Sequence, residues 1–153
     1  MPDIIRGVTN VTAGGYVFPS MAELSKYKVL VTTLVTAGKL CSAVFPRDHF
    51  KYVFIDEAGQ ATEPETAIAL GGVMAEGGHL VMAGDPYQLG PIVRSSIAHK
   101  HGLATSLLER LMSSPPYTNR DSGGFDKRCV MKLVRNFRLV VDSIYIHHII
   151  SIF

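Results

Sequence analysis

Two carboxylates stand side by side at Asp56 and Glu57, directly behind the apolar run Val53-Phe54-Ile55. Such a pair at the end of a buried strand can hold a hard divalent cation with one member. The other can orient and deprotonate a water that attacks a γ-phosphate. A second polar group, Gly84-Asp85-Pro86-Tyr87-Gln88-Leu89-Gly90-Pro91, also follows an apolar run. There Gly84 permits tight backbone geometry, Pro86 fixes the exit of the chain, and Gln88 offers an amide that both donates and accepts. An uncharged amide beside a triphosphate can sense the γ-phosphate without repelling it. Each group alone has a bland reading, since carboxylates commonly end strands or cap helices and Gly/Pro-punctuated octapeptides commonly turn. Two such groups at adjacent strand ends point to a nucleotide-hydrolysing site.

Positioning both groups at one edge requires a sheet. Residues 28–33, 51–57, 79–85 and 129–134 are apolar, β-branched runs that read as strands. Between them lie helix signals. Ser20 and Glu23 have capping-box spacing ahead of a short helix over residues 21–27. Thr62 and Glu65 repeat it with Pro64 in the first turn, for a helix through Leu70 and on towards Met74. Ser106 and Glu109 open a third helix, which Pro115-Pro116 ends. Gly77-Gly78 reads as a turn, and residues 7–20 and 117–127 as loops. Strands without polar alternation, interleaved with helices, predict an α/β doubly wound parallel sheet covered on both faces. Such sheets bind ligands beyond the carboxyl ends of their strands.

Composition sets the bounds. The chain has 153 residues, 47% of them hydrophobic and 18% charged, which describes one globular domain with a sizeable core. A net charge of +2 is compatible with a nucleic-acid partner without arguing for one. Cys41 and Cys129 lack metal-ligand spacing, so a reduced, intracellular setting is expected. The six histidines have no carboxylate or cysteine at ligand spacing and read as surface or satisfied side chains. The N-terminus lacks the regions of a signal peptide, and the apolar last 15 residues are too short to span a bilayer. A soluble protein is expected, with no membrane partner.

Taken in order, "KVLVTTLVTAGKL", "VFIDEAGQATEPE", "VMAGDPYQLGPIVRS" and "KLVRNFR" resemble successive motifs of superfamily 1B helicases. Within these the chain is most similar to the up-frameshift-like branch, in particular the Armitage and Moloney-leukaemia-virus-10-like RNA helicases. The resemblance covers roughly residues 28–138. It implies a partial RecA-like (P-loop NTPase) domain over residues 28–138, behind a lead-in over residues 1–27 and ahead of an unmatched apolar tail over residues 139–153. The implied activity is ATP-dependent 5′→3′ translocation on single-stranded RNA, with ATP and Mg²⁺ as cofactors. By the same resemblance Asp56 coordinates Mg²⁺, Glu57 is the catalytic base, and Gln88 contacts the γ-phosphate. Arg138 approaches that phosphate as an arginine finger, and Thr32 and Thr33 lie near the RNA backbone. Small-RNA silencing proteins are the implied partners, a monomer the implied state, and the cytoplasm, with its ribonucleoprotein granules, the implied compartment.

The sequence also departs from the family. No G-x-x-x-x-G-K-[ST] loop occurs in it. In the near miss Thr36-Ala37-Gly38-Lys39-Leu40, Thr33 stands for the first glycine and Leu40 for the Mg²⁺-holding hydroxyl, so it reads as a decoy. Without the P-loop strand and its cradle, the chain by itself is expected to be inactive and to expose a sheet edge and an apolar face. After Arg138 the similarity stops, and the tail reads as a diverged strand or a non-native terminus. Two rival readings are a truncated RNA- or partner-binding module without turnover and a transporter-type ATPase. The glutamine of "GDPYQLGP" argues against the second.

Overall fold

The computed structural model describes residues 11–12, 15–43, 45–119, 124–133 and 147–152. The chain divides into two units, residues 1–32 and 33–153. In the first, β1 (Val11–Thr12) and β2 (Gly15–Tyr16) form an antiparallel pair, and α1 (Met21–Leu24) follows. The hydroxyl of Ser20 accepts from the Glu23 amide, as the capping spacing predicts. The helix stops at Leu24, short of the expected residue 27.

The second unit is built around β3 (Phe50–Ile55) and β4 (Met74–Gly84), which pair in parallel with Ile55 opposite Met82. Parallel pairing demands a crossover, and α3 (Glu63–Leu70) supplies it. Its start is the full capping box. The Thr62 hydroxyl accepts from the Glu65 amide, and the Glu65 carboxylate accepts from the Thr62 amide at 2.9 Å. The helix α2 (Leu34–Ser42) lies against α3 at glycines. A methyl at Gly38 would stand 2.9 Å from Ile68 Cγ2, and one at Gly72 would stand 2.5 Å from Cys41 Sγ. Two short helices, α4 (Ser96–Lys100) and α5 (Leu107–Met112), follow, with Ser106 capping α5 through the Glu109 amide. A small antiparallel pair, β5 (Thr118–Asn119) and β6 (Gly124–Phe125), precedes β7 (Val130–Leu133) and β8 (His147–Ile152).

The sheet order is β3-β4-β8-β7, with β8 antiparallel to both neighbours. The sheet is therefore mixed, and part of the expected unmatched tail is one of its inner strands. One face carries the core. Ile55, Leu80, Met82 and Val130 pack with Ala58, Leu108, Met112 and Tyr117, and neither Met82 nor Leu108 is exposed at all. Burial lifts the Tyr117 hydroxyl above its usual range.

Three expectations are corrected. Residues 28–33 form no strand: the chain there is irregular, without a ladder, and Val29 and Val31 are 76% and 96% exposed. A β-branched run needs a neighbouring strand to become one. Gly77-Gly78 is no turn between elements. It is an irregularity inside β4, where the partner register steps from Phe50↔Met74 to Tyr52↔His79 and Gly77 takes φ 69°. Helices do not cover both faces among the described residues: Tyr52, Phe54, Met131 and Leu133 share the face opposite the core by strand alternation and are exposed.

Candidate active site

Parallel pairing of β3 and β4 brings both polar groups to the same edge of the sheet. Behind Ile55 the chain turns at once. The Asp56 carboxylate accepts from the Glu57 amide at 3.0 Å, and Glu57 takes φ 52°, ψ 37°, the left-handed region that a residue with a Cβ avoids. A short 3₁₀ turn, Ala58–Gln60, then leads to the Thr62 cap. The Gln60 side-chain amide reaches back to Glu57 Oε2 at 3.4 Å. Asp56 and Glu57 are both exposed, while Ala58 and Gly59 beneath them are buried.

Behind Gly84 the second loop is tied by Asp85. One carboxylate oxygen accepts from the Tyr87 amide at 2.9 Å, and the other accepts from the Gln88 side-chain amide at 3.0 Å. Gln88 N–H donates to the Asp85 carbonyl at 3.3 Å. The two loops touch through backbone. A methyl at Gly59 would meet the Asp85 carbonyl oxygen at 2.9 Å, and one at Gly84 would meet the Gly59 and Ala58 amide nitrogens at 3.0 and 3.1 Å. Leu108 of α5 supports this contact from the core, its Cδ2 lying 3.2 Å from the same point at Gly84.

Asp56, Glu57 and Gln88 are thus assembled at one sheet edge, as the sequence predicts. Arg138 lies outside the described residues. Thr32 and Thr33 stand in no strand: Thr32 is exposed in irregular chain, and Thr33 is the N-cap of α2, its hydroxyl accepting from the Thr36 amide. The near-miss loop lies inside that helix, where its amides serve the helix itself, so it makes no phosphate cradle. Sequence reasoning missed Gly59, Gln60 and the clamp made by Asp85. The small pair Ala58-Gly59 behind two carboxylates was the available sign of a close backbone approach.

Among the described residues no group of three or more His, Cys, Asp or Glu side chains could hold a metal. Mg²⁺ binds through one or two carboxylates and fills its remaining positions with water and substrate phosphate. The oxygen donors at Asp56 and Glu57 suit such an ion.

The profile of the AAA domain family matches residues 18–96. The chain belongs to that family, on its up-frameshift-like helicase branch. It is 49% identical over 139 residues to the putative helicase mov-10-B.1 of Danio rerio, covering 90% of this chain and 14% of the relative. The RNA helicase Mov10l1 of Mus musculus is 42% identical over 119 residues, covering 74% of this chain and 10% of the relative. The probable RNA helicase armi of Drosophila melanogaster is 36% identical over 143 residues, covering 88% and 12%. The helicase-family chain thus spans about a seventh or less of these relatives. No solved structure matches it significantly.

Proposed function

We propose that this chain supplies the metal-and-water half of the ATP site of an RNA helicase that moves 5′→3′ along single-stranded RNA. The observation that carries the reading is the backbone contact of Gly59 with Asp85, which joins the Asp56-Glu57 turn to the Gln88 loop at one sheet edge. ATP with Mg²⁺ brings the scissile phosphoanhydride and the ion that neutralises its charge. Asp56 holds that ion. Glu57 accepts the proton of the attacking water on its carboxylate, which the Gln60 amide orients. Gln88, tethered by Asp85, donates its side-chain amide to the γ-phosphate. Arg138 brings fixed positive charge to the same phosphate, and Thr32 and Thr33 contact the RNA backbone. Small-RNA silencing proteins are its further partners, and the cytoplasm is where it works.

A chimera tests this. Residues 28–138 replace the matching stretch of the Danio rerio relative, and phosphate release is followed with Mg²⁺ and RNA. The chimera should hydrolyse ATP, and Glu57→Gln should lower turnover at least ~100-fold, the scale of general-base loss. Undiminished turnover in that variant would remove Glu57 from the mechanism. The 153-residue chain alone should show no RNA-stimulated release, because its sequence holds no G-x-x-x-x-G-K-[ST] cradle. Robust turnover abolished by Glu57→Gln would contradict that.

A further inference from the structure

We infer that the stretch from Tyr87 to His101, which starts in the Gln88 loop and runs on past it, is a second contact for single-stranded RNA, with Arg94 and Lys100 taking phosphates and Tyr87 stacking on a base. The inference rests on the RNA-helicase reading above and adds residues to it.

The stretch is a polyanion-facing surface by charge. No Asp or Glu occurs from Pro86 through Leu108, whereas Arg94, His99, Lys100 and His101 all do. All four of these side chains are exposed. The ion pairs among the described residues join Arg110 to Glu63 and Arg128 to Asp126, so no neighbouring carboxylate neutralises Arg94 or Lys100 there. Two exposed cations, Arg94 in irregular chain and Lys100 at the end of α4, meet phosphates at little desolvation cost and release counterions when they do.

The surface is also held in shape. Asp85 fixes its start at the Tyr87 amide, Pro91 is buried midway, and the Ser95 hydroxyl caps α4 through the Ala98 amide at 3.2 Å. At the end of α4, the capping residue His101 donates its N–H to the Ile97 carbonyl at 3.0 Å, which puts Ile97, Lys100 and His101 on one side of the helix. Tyr87 is 82% exposed, Ile92 81% and Ile97 72%. An exposed tyrosine and exposed cations on one stretch of chain are the groups that bind single strands without sequence preference, a base on the ring and phosphates on the charges. The aliphatic side chains add contact with sugars and base edges.

Salt-dependent binding separates this surface from the threonine contact. The 153-residue chain is titrated against a fluorescent oligouridine of about 20 nucleotides, long enough for one domain, at several salt concentrations. Replacing Arg94 and Lys100 together by Gln should weaken binding and reduce the slope of log K against log salt by about 1.4, since each phosphate contact on a single strand contributes about 0.7. Tyr87→Ala should weaken binding about tenfold with the slope unchanged, the mark of lost stacking. Thr32→Val with Thr33→Val should likewise leave the slope alone. All these residues but Thr33, a helix cap, lie in irregular chain or on an exposed face, and a far-ultraviolet circular dichroism spectrum would verify that each variant is folded. An affinity and slope unchanged in the Arg94/Lys100 double variant would overturn the inference and leave the exposed aliphatics as a protein contact. Failure of the unsubstituted chain to bind the oligouridine at all would overturn the RNA reading with it.

Discussion

Glu57 holds a left-handed backbone conformation that glycine adopts freely and glutamate does not. A site that keeps its carboxylate there gives up stability for position, a trade common where chemistry is done. Glu57→Gly should therefore be more stable than Glu57→Ala by about 1 kcal/mol in thermal melting, although neither keeps the carboxylate. Equal melting would mean that the turn is unstrained. Gly59 makes the opposite demand. Its alanine variant places a methyl 2.9 Å from the Asp85 carbonyl oxygen, so the two loops must part. A loss of about 1–3 kcal/mol, with amide chemical-shift changes at Asp85 and Gln88, is the expected result. The carboxylates and the glutamine were legible in the sequence because their chemistry is carried by residue type. Gly59 and the Asp85 clamp were not, because they act through backbone geometry that only the folded loops display.

At the scale of elements, caps fix where the crossover begins. Thr62→Ala removes the hydroxyl half of the box at the start of α3, leaving the backbone-amide half, and should cost about 1 kcal/mol in denaturant unfolding. Directly after the cap, Glu63 accepts a two-pronged bond from Arg110 of α5, with Nε at 2.7 Å, tying the crossover helix to the helix beneath the site. That hydrogen bond holds the Glu63 carboxyl below its ordinary value of 4.5. A lowered carboxylate contributes stability that is fully present above the ordinary value and fades as pH falls through the folded one. Both side chains are well exposed, so a double-mutant cycle should read under about 1 kcal/mol at neutral pH and nothing in strong acid. A coupling unchanged in acid would mean the pair is not ionic. Cap spacing made α1, α3 and α5 readable, because caps are local. The run of residues 28–33 misled because its apolar pattern states only what a strand would accept. With no partner ladder it is irregular chain, and Thr33 turns the following segment into a helix. The strand β8 was legible only as one of two readings of the tail, a diverged strand, since its partners are distant in sequence.

For the whole molecule, the sheet has one face packed and one carrying exposed Tyr52 and Phe54, whose rings lie 6.4 Å apart and nearly parallel, with Tyr52 also stacked on His79 at 5.1 Å. A flat apolar face of that kind favours self-association at high concentration. Phe54→Lys should reduce concentration-dependent light scattering and change stability by less than about 0.5 kcal/mol, since the ring is 72% exposed. The central claim is that Asp56 and Gln88 flank one bound Mg²⁺-nucleotide, and Mn²⁺ in place of Mg²⁺ tests it most directly. With a non-hydrolysable ATP analogue at high concentration, paramagnetic broadening should concentrate on the amides of residues 56–60 and 85–88 and should vanish in Asp56→Asn. Broadening centred on the carboxylates of α3, or unaffected by that substitution, would contradict the account.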